Sequence, residues 1–314
     1  MNGNEIKDTD KRFEEMSFDE KLAASIESED TEDWLDVQVT RRAGLALALG
    51  GIKAGLHPNV VSLMSVIVGI AAAVMFSSSA LLHNVIGVVL MMVFAILASA
   101  DGQMARLTGK KTSAGRLLDR LSGLLCFTFI YIAISLRLYS VTMPGTDRPW
   151  GLGIWVLCLV AGLFCLLPQT SLAEYYKEIH LWMQKDKPLG KTGRYHHVLV
   201  GHTPWFQQLQ SLVESRFGVP SAMPSDIRLQ FVNGSRPLMK TARLLALSTR
   251  VICLCVACLM DEPWILPVFE IVVLTFYHIF MLKSHESLSR KTYDSLVACV
   301  TEIPESKEDK NPEI

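Results

Sequence analysis

The chain has 314 residues, of which 50% are hydrophobic and 19% charged, and its mean hydropathy is positive, which excludes a disordered polypeptide. The net charge of −1 conceals an uneven distribution: residues 1–38 carry 13 acids against 4 bases and residues 283–314 carry 7 against 5, leaving 11 acids and 21 bases between them. A middle that is basic and oily together speaks against a soluble nucleic-acid binder and for a membrane protein whose loops face an anionic leaflet.

The first 33 residues contain no apolar run of the length a cleavable signal needs, so the N-terminus is expected in the cytosol. Ser17 and Glu20 form a capping-box pattern ahead of a short weak helix. Residues 39–57 follow, apolar but flanked by Arg41, Arg42 and Lys53, and are read as an interfacial helix, with a plain cytosolic lead-in as the alternative. Pro58 suits the first turn of the helix after it.

Six stretches approach the about 20 apolar residues that a bilayer core requires. They are 58–78, 80–100, 117–137, 151–171, 242–260 and 263–282. With the N-terminus inside, Arg41, Arg42, Lys53, the bases from Arg106 to Arg120, those of the 177–240 segment and Lys283 fall on the cytosolic side, and only Arg137 and Arg148 fall outside. That asymmetry predicts six spans with both termini cytoplasmic. Trp150, Trp155 and Trp264 are then expected in an outer aromatic belt, with Trp34 and Trp182 near the inner interface. The fold class is therefore an all-α integral membrane protein. Its parts are an acidic tail (1–38), an interfacial helix (39–57), a six-span domain (58–282) with a cytoplasmic insertion (175–241), and a second tail (283–314).

The insertion is punctuated by Pro188, Gly190, Gly193, Pro204, Pro220 and Pro224, and offers one short helix around Phe206–Phe217. Its His196, His197 and His202 lack a Cys or carboxylate at ligand spacing and belong to a solvated loop. Six of the seven cysteines lie in apolar runs, which marks them as buried small residues; Cys253, Cys255 and Cys258 are spread around a helix and have no second ligand group.

The segment that carries chemistry joins spans two and three: Ala98-Ser-Ala-Asp101-Gly102-Gln-Met-Ala105-Arg106, eight residues, Gly115-Arg-Leu-Leu-Asp119, then Gly123. Asp101 and Asp119 sit at the cytosolic ends of consecutive spans. A carboxylate at that boundary is costly unless it meets a cation, and hard Mg²⁺ or Mn²⁺ held by one or two carboxylates plus substrate phosphates is a common solution. Gly102 and Gly115 let a nucleotide approach the backbone, and Arg106 offers a planar donor fork to a diphosphate.

These residues resemble the signature of the CDP-alcohol phosphatidyltransferases: Asp, two residues, Asp-Gly, two residues, Ala-Arg, about eight residues, Gly, three residues, Asp, three residues, Asp. Six spans, the interfacial helix and the His57-Pro58-Asn59 start of span one agree with that family. The resemblance implies attack of a hydroxyl on the β-phosphate of a CDP-linked lipid, release of CMP, a divalent cation on Asp101 and Asp119, and a nucleotide site built from Asn59, Asp101, Gly102, Ala105, Arg106 and Gly115. It also implies a homodimer in a membrane, expected to be a bacterial inner membrane, with the site facing the cytoplasm and no nucleic-acid partner. The chain departs from the signature twice, with Ala98 and Gly123 where the first and fourth aspartates stand, so the usual base is missing. Three explanations stay open. A reduced site still transfers, with Asp119 catalytic and Glu174 or Glu178 near the end of span four as substitute base. The chain is a catalytically impaired member that binds nucleotide or lipid as a subunit. Or Ala98 and Gly123 are variant substitutions in an active parent.

Arg250 in span five and Glu270 in span six lie at similar depth, and an ion pair between them is the first expectation. By the family resemblance, Arg243 and Arg250 are instead acceptor-binding residues for an anionic alcohol. The Ala173-Glu174-Tyr175-Tyr176 to Ile179-His180 stretch resembles members acting on inositol lipids, which makes inositol or inositol phosphate a candidate acceptor. A transporter is disfavoured, since neither an inverted repeat nor a broken helix is evident.

Overall fold

The computed structural model describes residues 16–25, 40–109, 113–187, 189 and 203–302, and for 113, 114, 116–120 and 302 the backbone alone. Most of the N-terminal acidic tail, Trp34, the loop histidines and residues 303–314 of the second tail fall outside these residues, whereas 283–302 are described as part of the last helix. Among the described residues the structure is helical, with one isolated bridge between Thr142 and Pro149. In chain order the helices are α1 (Phe18–Ser25), α2 (Arg42–Lys53), α3 (Pro58–Phe76), α4 (Leu81–Leu107), α5 (Ser113–Leu138), α6 (Leu152–Val160), α7 (Leu167–Lys185), α8 (Pro204–Arg216), α9 (Ser225–Leu244), α10 (Leu247–Leu259), α11 (Ile265–Phe269) and α12 (Thr275–Glu302). π-helical turns at Ala161–Leu166 and Glu270–Leu274 join α6 to α7 and α11 to α12. Each lies within a few residues of a proline, Pro168 or Pro267, whose missing N–H loosens the regular ladder.

Six helical runs are long and apolar enough to cross a bilayer, one at each expected span. Three are far longer than a span: Leu152–Lys185, Ser225–Leu259 and Ile265–Thr301. The described part of the 175–241 segment is mostly helical. The short helix expected at Phe206–Phe217 is present as α8, and α7 and α9 add two that the proline and glycine punctuation hid. Exposed Leu63, Ile67 and Val74 recur on one face of α3, as a lipid-facing stripe does.

The capping box forms as the sequence predicts: Ser17 N–H donates to Glu20 Oε2 at 2.7 Å and Glu20 N–H to Ser17 Oγ at 3.2 Å. The bond from the Ser17 backbone, then the Ser17 hydroxyl, hold the Glu20 carboxyl below its ordinary value.

The helices fall into two compact units. The first contains residues up to Leu167 and Ala246–Leu274. Its core joins Ala72 and Phe76 of α3, Met91 and Phe94 of α4, Phe127, Ile130 and Ile134 of α5, Ile154 of α6 and Leu254 of α10. α3 packs broadly on both α4 and α5, whereas α4 and α5 touch each other little. One end of this unit is tied by Arg137, whose buried guanidinium donates to Phe76 O (3.1 Å), Asn84 Oδ1 (3.0 Å) and Asp261 Oδ1 (2.5 Å). The same unit brings Trp150 and Trp264 into a tilted contact with ring centroids 6.2 Å apart, two of the three indoles expected in the outer belt.

The second unit contains Pro168–Leu245 and the residues from Thr275 onward. Its core stacks Tyr176 on His285 at 3.8 Å, with Phe206 and Phe231 edge-on to the imidazole. Ser235 Oγ lies 2.7 Å from His180 Nδ1 and 3.0 Å from Val232 O. Arg228 donates to Met183 O and Gln184 O at 2.8 and 2.7 Å, closing the last turn of α7 with a cation where carbonyls are left over.

Candidate functional site

The site begins with the lengths of α4 and α5. Leu81 and Leu138 mark the end tied by Arg137, which bonds Asn84 on the neighbouring helix. At 1.5 Å per residue, Asp101 lies about 30 Å along α4 from Leu81, and the backbone of Asp119 lies about 28 Å along α5 from Leu138. The two aspartate positions therefore share one depth, a bilayer core away from the Arg137 end.

Asp101 is buried, 3% exposed, and its Oδ2 accepts a hydrogen bond from the equally buried Ser62 of α3. Ser62 lies one turn after Pro58, the first residue of a helix whose His57 cap accepts from Asn59 N–H at 3.3 Å. Span one thus delivers a hydroxyl to the signature aspartate of span two. Asn59 is half-buried at the start of the same helix.

Further along α4, Gly102, Ala105 and Arg106 are half-buried. The Arg106 guanidinium folds back along the helix: a Cβ on Gly102 would stand 3.5 Å from Arg106 Nη2, which is ordinary contact. On the other flank, α2 packs on α4 so closely that a Cβ on Gly44 would stand 2.8 Å from Ser99 Oγ, and Gln103 donates to Arg41 O at 3.0 Å. α2 is therefore held against the residues that flank Asp101.

Gly115 is half-buried in α5, and the side chain of Asp119 lies outside the described residues. At the two positions where the signature has acids, Ala98 is half-buried, three residues before Asp101 on α4, and Gly123 faces α10. A Cβ at Gly123 would stand 2.4 Å from Leu247 Cδ1. Leu247 is the first residue of α10, partly buried against the core, and α10 also packs on α4.

Deeper in the same unit Arg250 Nε meets Glu270 Oε1 at 3.0 Å with both side chains fully buried, which is the expected ion pair. Tyr131 donates to Glu270 Oε2 at 2.5 Å, and Arg250 Nη1 donates to Ala246 O at 3.1 Å. Arg243 and Glu174 belong to the second unit; Arg243 Nε donates to Met239 O at 3.4 Å on its own helix, and Glu174 is exposed.

The donors gathered at Asp101, a carboxylate and a hydroxyl, are the oxygen chemistry that a hard divalent cation takes. Among the described residues no three His, Cys, Asp or Glu side chains gather as a metal-binding group. Ser62, Tyr131 and Leu247 escape sequence reasoning. Ser62 and Leu247 look like filler in apolar stretches, and only the one-turn offset of Ser62 from Pro58 on a common helix face hints at its direction.

Residues 55–185 match the family model of the CDP-alcohol phosphatidyltransferases, a stretch that runs from the residue pair before His57 to the last residue of α7 and contains the whole signature. No curated protein matches the chain.

Proposed function

We propose, on the premise of that match to a family of transferases of phospholipid synthesis, that this protein is a CDP-alcohol phosphotransferase acting at the cytoplasmic face of its membrane. In the reaction the hydroxyl oxygen of an acceptor alcohol bonds to the β-phosphorus of a CDP-linked lipid. The bond from that phosphorus to the bridging oxygen breaks, CMP departs with the bridging oxygen, and the acceptor proton passes to a base. Arg106 binds the diphosphate through its guanidinium fork, and Asn59, Gly102, Ala105 and Gly115 shape the nucleotide site. Asp101 and Asp119 would hold Mg²⁺ or Mn²⁺, and a cation there would supply positive charge against the diphosphate and the CMP leaving group. Asp119 and, as a substitute for the acid absent at position 123, Glu174 are the proposed proton acceptors.

The observation that carries this reading is the signature at full spacing on two helices whose aspartates lie at one depth, inside the matched stretch. For the acceptor, the likeness of 173–180 to inositol-lipid enzymes supports inositol or inositol phosphate, with Arg243 as its anion contact. Arg250 would join it only by leaving Glu270. A homodimer is proposed from the family alone.

A second reading, a nucleotide- or lipid-binding subunit without turnover, is favoured by the packing of Leu247 against position 123. One experiment separates the two. Protein in lipid nanodiscs with Mn²⁺ and a CDP-lipid is expected to release CMP once an alcohol is added, and Asp101→Asn or Asp119→Asn to stop it. CDP binding without CMP release across sugar, inositol and lipid alcohols selects the subunit reading.

A further inference from the structure

We infer that the second unit is an acid-sensitive assembly: His285 can take up a proton only by leaving the aromatic core in which it is packed, so falling pH drives that core open. The inference goes beyond the transferase reading and does not depend on it.

His285 follows the sixth apolar stretch (263–282) and stands among Lys283, Glu286, Arg290 and Lys291, so it lies beyond the membrane-spanning part of its helix. Its side chain is 0% exposed. One face of the imidazole stacks on Tyr176 of α7, with centroids 3.8 Å apart and planes 7° from parallel. Phe206 of α8 and Phe231 of α9 stand edge-on to it at 5.9 and 5.8 Å. Three helices thus close over a ring carried by a fourth, α12. Its Nδ1 lies 3.4 Å from Ser289 Oγ one turn further on, and among the described residues Nε2 has no hydrogen-bond partner.

Among the described residues nothing favours an imidazolium in this place. On α7 the titratable neighbours are Tyr176 and His180, and a second base opposes a proton on the first. α8 turns Phe206 to the ring while its Glu214 and Arg216 are exposed. α9 brings Phe231; its Arg228 is engaged by the carbonyls of Met183 and Gln184, and Arg236 and Lys240 are exposed. On α12, Lys283 and Arg290 are exposed, and Glu286 is turned to the first turn of α8, where it accepts from Trp205 N–H at 3.0 Å. Burial first, and His180 second, push the His285 imidazole down to about 3. Ring faces attract a cation, but that attraction is a small fraction of the hydration a buried charge loses.

Once the core opens, the ring meets water and returns to its ordinary value of about 6.5. The open form then binds a proton that the closed form refuses, so the ratio of open to closed rises as pH falls. Above about 6.5 the closed unit keeps its full stability. From there down to about 3 the ratio grows about ten-fold per pH unit, which amounts to about 30-fold between pH 7.5 and pH 5.

Hydrogen exchange of the full chain in lipid nanodiscs tests this, with rates converted to protection factors so that the intrinsic pH dependence of exchange drops out. Peptides from α7, α8, α9 and the part of α12 after Lys283 are expected to lose at least about 30-fold in protection between pH 7.5 and pH 5, while those from α3 and α4 hold theirs. His285→Phe keeps a ring against Tyr176 but has nothing to protonate, and its loss over the same range is expected to be about 30-fold smaller than the parent's. Should His285→Phe fail to fold, His285→Gln, also uncharged at every pH, carries the same comparison. Protection in the second unit that does not change with pH, or a loss in the uncharged variants as large as the parent's, overturns the inference.

Discussion

Restoring the absent acid at position 123 tests whether Leu247 fills that place. In Gly123→Asp the new Cβ starts 2.4 Å from Leu247 Cδ1, more than an ångström inside ordinary contact, and the carboxylate beyond it is pushed into a partly apolar surface. Forcing extra atoms into a packed site costs about 1–3 kcal/mol. For a chain of this size that corresponds to a fall of roughly 2–5 °C in melting temperature by the scaling of globular proteins. Leu247→Ala trims the obstructing methyls at a cost below the about 2–5 kcal/mol of a core leucine, since Leu247 is only partly buried. The double variant Gly123→Asp/Leu247→Ala is then expected to be more stable than the two single changes added together, by about 1–3 kcal/mol of coupling. Thermal unfolding of the four proteins in one detergent reads this directly. Additive losses, or a Gly123→Asp protein as stable as the parent, refute the argument that the start of α10 occupies the place of the acid.

Two further changes probe charges whose environments differ. Arg250→Ala leaves Glu270 buried without its cation and is expected to cost about 3–5 kcal/mol, seen as loss of monodisperse protein on size exclusion, whereas Arg250→Met with Glu270→Leu is expected to be tolerated. If the single change is harmless, Arg250 does not staple the helices. At the other end, Arg137→Ala removes a 3% exposed guanidinium with three acceptors and is expected to lower the melting temperature clearly. Asp261→Ala removes a 63% exposed partner and is expected to cost less than about 1 kcal/mol. Equal losses contradict the assignment of Arg137 as the tie between turns.

The spans were legible because bilayer burial demands an apolar run that hydropathy sees without knowing the fold. The long extensions were not. α9 buries Phe231, Ser235, Leu238 and Ala242 at intervals of three and four, with Met239 beside them, while its other side is polar, so its average looks like a loop, and Gly234 and Pro237 reinforce that impression. Tertiary burial in the second unit, which no local window contains, is what keeps it helical. At the site, spacing alone placed Asp101 on a helix at the right depth, because 1.5 Å per residue is arithmetic. Its bond to Ser62, 39 residues earlier, depends on how α3 rotates against α4, and a serine in an apolar run gives no sign of its direction beyond its one-turn offset from Pro58.

Depth separates the two kinds of buried acid in this protein. Glu270 lies about 8 Å along the helix from Ile265, and Arg250 about 14 Å from Leu259, so both sit within the span, where no soluble ligand reaches them. There the carboxylate is met by a guanidinium and a phenol, and the arrangement is closed: each charge is satisfied by protein and the helices carrying them are tied. Asp101 is just as buried but lies a full core thickness from the Arg137 end, where the span meets water, and the partner that α3 offers it is a hydroxyl that orients without neutralising. An acid placed at that boundary, one turn before an arginine, suits a ligand that brings its own cation and phosphates. An acid locked inside the span by a guanidinium and a phenol suits only the fold. On the proposed function, the same residue type serves assembly in one place and chemistry in the other, and what distinguishes them is the number of helical turns between each acid and the nearest interface.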